Sequence, residues 1–195
     1  MQASDFDRAY FERFYFNPRT RVAEPAYFDR LAAFAAAYLK LLECPVKRVL
    51  DVGCGAGLLH RGLRQAYPGV RIDACDASAY ICERFGWQRA TIDELEVTRT
   101  YDLVICHDVV QYLKRAAARA ALTKLAALSH GALLFGVLTR EDWQHNCDQQ
   151  LTDTNVHLRS AAWYRRELAV HFRNAGGGLY IRRDAGVVLY ALESS

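Results

Sequence analysis

The sequence predicts an α/β fold, a parallel sheet with helices on both faces. Three observations predict it. Short apolar runs alternate with amphipathic segments from Arg48 to Leu138, three glycines stand on alternate positions after the first apolar run, and helical segments precede it. In chain order, Asp5 to Tyr15 is a helical segment dense in aromatics: Phe6, Tyr10, Phe11, Phe14 and Tyr15. Glu24 to Leu42 carries Phe28, Leu31, Ala35, Tyr38 and Leu42 at helical spacing. Asn17-Pro18 separates the two and Pro45 closes the second. The first strand is expected at Arg48 to Val52, then a helix from Leu58 to Ala66 and a turn at Pro68-Gly69. Arg71 to Cys75 reads as the second strand. Ser78 caps a short helix to Phe85, and a weak third strand follows near Gln88 to Ile92. Tyr101 to Cys106 is an apolar fourth strand, Arg115 to Leu128 an alanine-rich helix and Ala132 to Leu138 a fifth strand.

The pattern then changes. Thr139 to Leu158 is polar with little periodicity, and a connection of that length is more often functional than structural. It leaves the fifth strand on the expected ligand side, where Trp143 could bound a pocket. A helix is expected over Ser160 to Asn174, with one aromatic of Trp163 and Tyr164 buried and Arg165 and Arg166 exposed, and Gly176-Gly177-Gly178 ends it. Leu179 to Arg182 and Val187 to Leu192 read as two strands joined at Asp184-Ala185-Gly186. No linker or repeat divides the chain. The expected organisation is one domain, with residues 1–44 as a helical cap and 45–195 as the core, carrying a polar insertion at 139–158.

At 195 residues and 52% hydrophobic, the chain is long enough to bury a sizeable core. Its net charge of +3, with arginines scattered rather than clustered, argues against a nucleic-acid partner. No apolar run approaches the roughly 18 residues of a membrane span, and Met1 to Arg8 lacks a leader pattern, so a cytoplasmic protein with no membrane partner is expected. The six cysteines form no C-x-x-C pair and are expected as reduced thiols. His145, Cys147, Asp148 and His157 lack the paired spacing of a zinc site, so no metal is expected. The sequence is silent on oligomeric state.

A strand ending in Gly53-Cys54-Gly55-Ala56-Gly57 brings backbone N–H groups and a helix start close to a ligand, and glycine permits the turn. A dinucleotide turn would continue G-x-G-x-x-G, but Leu58 occupies the third position and Gly57 comes one residue early. Asp51, inside the strand end, would repel a pyrophosphate and attract a cationic amine or sulfonium.

The run Val49-Leu50-Asp51-Val52-Gly53-Cys54-Gly55-Ala56-Gly57 is similar to the first motif of the class I S-adenosylmethionine-dependent methyltransferases. Asp76 ends the second strand 19 residues after Gly57, where that family places an acidic residue on the ribose hydroxyls. Tyr101 to His107 resembles its fourth strand, and Asp108-Val109-Val110-Gln111-Tyr112-Leu113 the segment that follows. The two terminal strands resemble its antiparallel hairpin. The resemblance spans about Val46 to Leu192, apart from the polar insertion. It implies a Rossmann-like three-layer sandwich with a seven-stranded, mostly parallel sheet and a C-terminal antiparallel hairpin, here behind an N-terminal helical cap.

The resemblance also implies S-adenosylmethionine as cofactor and S-adenosylhomocysteine as product. Asp51 and the backbone at Gly53, Cys54 and Gly55 then match methionine-side contacts, as does His107. Asp76 matches the ribose contact and Ala77 lies next to the adenine. Thr91 and Ile92 flank the adenine; Thr91 stands where the family often has an aspartate, and Asp93 could serve instead. His107, His145 and Tyr15 are candidate bases, histidine suiting the work because its pKa lies near about 6.5. His107 packing on the cofactor and Asp108 as a cap are the plainer readings. Tyr10, Phe14 or Tyr15 could line an apolar pocket, with Arg19 and Arg21 meeting a carboxylate, or the aromatics could simply pack. No Asn/Asp-Pro-Pro-Tyr-like motif follows the fourth strand, which leans toward a small-molecule acceptor. Two other readings stay open: a non-catalytic S-adenosylmethionine-binding subunit that supports a partner, and an aminopropyl-transferase-like enzyme, although such enzymes carry an acidic residue where Cys54 and Ala56 stand.

Overall fold

The computed structural model describes residues 3–190. Seven strands form one sheet: β1 (Arg48–Val52), β2 (Arg71–Asp76), β3 (Gln88–Arg89), β4 (Tyr101–His107), β5 (Ser129–Gly136), β6 (Phe172–Gly176) and β7 (Leu179–Arg182). Their order is β3-β2-β1-β4-β5-β7-β6. β1 pairs in parallel with β2 and β4, β2 with β3, and β4 with β5; β7 runs antiparallel to both β5 and β6. Among the described residues seven α-helices accompany it: α1 (Arg8–Phe11), α2 (Pro25–Leu41), α3 (His60–Ala66), α4 (Ala79–Phe85), α5 (Arg115–Leu128), α6 (Arg140–His145) and α7 (Ala161–Ala169). None among the described residues is long and apolar enough to cross a membrane. The seven-stranded sheet with flanking helices is the architecture the resemblance implied.

Strand periodicity sorts the core into two layers. Leu50, Val52, Val104, Cys106, Leu133 and Phe135 face α5 and α7, where Leu122, Leu125, Trp163 and Leu168 meet them. Val49, Leu103, Ile105, Ala132 and Leu134 face the other way, onto Phe28, Ala32, Ala35 and Leu39 of α2 and Leu63 of α3. The order reverses direction between β1 and β4, so a crevice opens at their carboxyl ends, the usual ligand position in such sheets.

Several boundaries differ from the sequence reading. The N-terminal segment is not one α-helix. A 3-10 turn (Ala3–Asp5), α1 and a π-helical turn (Glu12–Phe16) follow one another, because Asp7 accepts the Tyr10 N–H at 2.9 Å and starts the helix there. The third strand shrinks to Gln88–Arg89, and the fifth begins three residues earlier, at Ser129. The polar insertion opens with α6, launched by a reciprocal capping box between Thr139 and Asp142. α7 ends at Ala169, and Phe172–Gly176 is a strand instead of helix. The hairpin therefore turns at the glycine triplet and not at Asp184-Ala185-Gly186; Val187 to Tyr190 is irregular, and Ala191 and Leu192 lie outside the described residues. Trp163 and Tyr164 are both buried, against an expectation of one.

Two close fits set the layer beneath β1. A Cβ on Gly62 of α3 would lie 2.7 Å from Ala32 Cβ and 3.3 Å from the Asp29 carbonyl oxygen of α2. The β1–α3 junction is pinned by a buried pair: His60 Nε2 lies 2.9 Å from Asp51 Oδ2, with both residues under 5% exposed. Trp87 stands edge-on to the His60 ring at 5.2 Å, and its indole N–H donates to the Gly55 carbonyl at 3.0 Å. Gly62→Val should therefore force α2 and α3 apart and destabilise the protein by about 1–3 kcal/mol in urea unfolding. His60→Ala, which strips the buried Asp51 carboxylate of its partner, should lower stability by about 1.5–3 kcal/mol, and His60→Gln by less.

Candidate functional site

The turn after β1 is stitched to the end of β2. The Gly53 and Cys54 N–H groups both donate to the Cys75 carbonyl, at 2.8 and 3.1 Å. Asp76 Oδ2 accepts the Gly55 N–H at 2.9 Å, and its Oδ1 accepts the Ser78 N–H at 2.8 Å. The Ala77 N–H also acts on this carboxylate, and an ionised carboxylate, with about four acceptor positions, keeps part of its capacity beyond these N–H groups. Burial pushes the Asp76 carboxyl above the usual range, against the pull of the Ser78 and Gly55 N–H groups. Glycine is required at position 53: φ is +68°, and a Cβ would fall 2.3 Å from Val109 Cγ2.

Beside this turn lies a cavity of about 370 Å³. Gly53, Gly55, Asp76 and Ala77 form one wall; Thr91, Ile92 and Asp93 line it too. Thr91 Oγ1 is committed to Glu94, donating to its carboxylate at 2.8 Å. The N-terminal segment roofs the cavity with Phe6, Tyr10, Phe11 and Tyr15, and the Ser78 hydroxyl donates to the Phe6 carbonyl. A second cavity of about 540 Å³ opens beyond, between the roof, the start of α2 and the insertion. Tyr10, Tyr15, His107, Asp108 and Tyr112 belong to both. The hydroxyls of Tyr10 and Tyr112 are 2.8 Å apart. A small hollow links Asp51, Gly53, Cys54 and Gly55 to His107 and Asp108.

At the end of β4, His107 Nδ1 sits 2.9 Å from Asp108 Oδ2. Burial acts to lower the imidazole pKa, but the Asp108 carboxylate outweighs it and the net shift is upward. For Asp108, burial pushes up and His107 pulls harder down, so its carboxyl lies below the usual range. Pairing through Nδ1 leaves Nε2 over Gly136, where a Cβ would come within 2.5 Å of it. Asp108 has φ +59°, a left-handed conformation that aspartate tolerates. Gln111 holds the loop: its Nε2 reaches Asp108 Oδ1 at 3.4 Å, its Oε1 accepts the Leu138 N–H at 3.1 Å, and its carbonyl accepts the His157 N–H at 2.8 Å. Arg159 is 7% exposed and donates to the carbonyls of Val110, Leu113 and His157 and to the Tyr164 hydroxyl.

The structure thus gathers ten of the sequence candidates around connected spaces: Asp51, Gly53, Cys54, Gly55, Asp76, Ala77, Thr91, Ile92, Asp93 and His107, joined by Tyr15. His145 is not brought in; it ends α6 on an exposed face and lines none of these cavities. Trp143 lines none of them either. Arg21 pairs with Glu24, and Arg19 is exposed. Among the described residues no group of three or more His, Cys, Asp or Glu is arranged to hold a metal ion. Sequence reasoning missed His60, Trp87, Gln111, Tyr112 and Arg159. His60, a histidine opening a helix nine residues after a strand-end aspartate, carries no mark in the sequence that separates it from a solvent-facing one.

A family model described as a methyltransferase domain matches residues 50–134. The chain is 33% identical over 123 residues to a malonyl-(acyl-carrier protein) O-methyltransferase of Anoxybacillus flavithermus, covering 55% of this chain and 47% of that protein. It is 34% identical over 94 residues to a ubiquinone biosynthesis O-methyltransferase of Rickettsia akari, covering 44% of this chain and 36% of that one. It therefore spans less than half the length of these curated relatives. Among solved structures, magnesium protoporphyrin IX methyltransferase from Synechocystis with bound SAH is similar at a TM-score of 0.63 and 19% identity, over 91% of this chain and 93% of that one. The glycine turn and the strand-four segment both lie inside the stretch that matches the methyltransferase-domain model, and the fold is similar to that of a solved methyltransferase over most of the chain.

Proposed function

We propose that the chain is an S-adenosylmethionine-dependent methyltransferase acting on a small-molecule acceptor. The observation that carries this reading is the pair of cavities meeting at His107 and Asp108, one beside the glycine turn and one beyond it. The residues present fit the cofactor. The first cavity has the size of a small-molecule site, its turn offers close backbone approach, and Asp76 retains acceptor capacity for a ribose diol. The acidic pair Asp51 and Asp76 suits a cation better than a pyrophosphate. Thr91, Ile92, Asp93 and Ala77 would flank the adenine, and Gly53, Cys54, Gly55 and Asp51 the methionine end.

When bound, S-adenosylmethionine supplies an electrophilic methyl group on a sulfonium that is already a good leaving group. The chain's own work is positioning and water exclusion. Phe6, Tyr10, Phe11 and Tyr15 close the roof. His107 Nε2 takes a proton from the acceptor, while Asp108 holds Nδ1 and stabilises the imidazolium that results. Tyr15 serves as a hydrogen-bond donor, because burial first, then the nearby Tyr10 and Asp108, keep its hydroxyl protonated. His145, exposed at the end of α6, has no part in this scheme.

Calorimetry with S-adenosylhomocysteine tests the cofactor reading. Wild type should bind it in preference to NAD, and Asp76→Asn should weaken it about 10- to 100-fold, the worth of a hydrogen bond to a charged group. Undiminished binding by Asp76→Asn would sink the ribose assignment, and preference for NAD the whole reading. The base assignment has a pH signature. His107 must be neutral to accept a proton, and Asp108 raises its pKa, so Asp108→Asn should move the acid limb of the kcat profile to lower pH. An unmoved limb in that variant would remove His107 from the role.

A further inference from the structure

Glycine permits the turn after β1 but does not select it. Gly55 has φ +51°, and a free glycine visits negative φ about as readily. Two hydrogen bonds make the selection. The peptide before Gly55 is fixed by its N–H, which donates to Asp76 Oδ2 at 2.9 Å. The peptide after it is fixed by the Gly55 carbonyl, which accepts the Trp87 indole N–H at 3.0 Å. Each peptide is planar and the two meet at the Gly55 Cα, so holding both planes holds φ and ψ there. Gly55 and Asp76 line the cavity beside the turn, and Trp87 does not.

Trp87 is itself held in place. Gly86 ends α4 in a left-handed conformation, and the Trp87 backbone N–H then donates to the Cys82 carbonyl at 3.2 Å. The ring stacks on Phe85 at 5.9 Å and meets His60 edge-on at 5.2 Å. The turn rests on that pair of rings: a Cβ on Gly57 would lie 2.9 Å from His60 Nδ1 and 3.1 Å from Trp87 Cζ2. The end of α4 is thereby joined to the turn after β1 by packing and by one directed N–H.

Resting on the methyltransferase reading above, we propose that Trp87 is a positioning residue for the cofactor. Without touching the cofactor, its indole N–H holds the Gly55 peptide so that the turn and Asp76 face the cavity together. With that N–H removed, the turn spends part of its time in other conformations, and the apparent affinity falls with the fraction still competent. Asp76 is affected in turn, because the Gly55 N–H that it accepts follows the same rotation.

Trp87→Phe tests this, since it keeps a ring between Phe85 and His60 and removes the donor. Calorimetry with S-adenosylhomocysteine, well below the melting transition so that unfolding does not compete, should show binding about three- to tenfold weaker than wild type, the worth of one neutral hydrogen bond. Leu39→Ala, a cavity in the buried face of α2, is the comparison for stability alone. It should lower Tm at least as far as Trp87→Phe does and leave the affinity within about twofold. Nitrogen-labelled NMR adds a readout that packing alone would not move. The Trp87 indole N–H resonance should shift on saturation with S-adenosylhomocysteine, and that of Trp143, which lines none of the cavities described, should not. Binding by Trp87→Phe within about twofold of wild type, an equal loss in Leu39→Ala, or a Trp87 indole resonance indifferent to S-adenosylhomocysteine would each overturn the proposal. If Trp87→Phe does not fold, the wild-type resonance decides. Failure of wild type to bind S-adenosylhomocysteine is a separate outcome, which overturns the methyltransferase reading and the role of Trp87 with it.

Discussion

The placement of β1 between β2 and β4 is the constraint on which the rest of the structure depends. Parallel pairing of Val52 with Cys75 on one side and Cys106 on the other brings three strand ends to the same edge. The segments that leave those ends have to share one small volume. The turn at Gly53, the carboxylate of Asp76 and the His107–Asp108 pair are neighbours for that reason alone. Close approach then demands a residue without a side chain at position 53, because Val109, leaving β4, fills the space. The buried Asp51–His60 pair ties the same turn to the helix that follows. Backbone geometry, a packing limit and a buried polar contact thus converge on a handful of residues.

Much of this edge was legible in the sequence, for identifiable reasons. A strand flanked by two others reads as a near-continuous apolar run, as Leu103 to Cys106 does and as Val49 to Val52 does apart from Asp51, and a turn needing positive φ displays glycine. The partner of Asp51 was not legible, since a histidine opening a helix looks the same whether it faces solvent or a buried carboxylate. The C-terminal third misled for another reason. A glycine triplet ends a helix as readily as it turns a hairpin, and Phe172–Gly176, half-exposed and carrying arginine and asparagine, lacks strand periodicity. In the polar insertion, Thr139 followed three residues later by Asp142 was a helix start present in the sequence.

Polar clamps hold the wall of the second cavity together. Gln111 joins the segment after β4 to the one after β5, and its carbonyl also takes a hydrogen bond from the insertion. Arg159 lies 5.2 Å over the Trp163 ring and gives its N–H groups to carbonyls on both segments, with no carboxylate partner among the described residues. A buried guanidinium satisfied by carbonyls fixes backbone and not side chains, which suits a wall that must keep its shape while ligands change.

Five residues stand in the wall common to the cavity beside the glycine turn and the one beyond it: Tyr10, Tyr15, His107, Asp108 and Tyr112. Any occupant of one space that shifts or orders those side chains changes the free energy of filling the other. By linkage, the factor by which the first ligand alters the second ligand's affinity equals the factor in reverse. A shared wall therefore makes the two affinities a single coupled quantity, and any substitution that reshapes it alters both binding constants and the coupling between them.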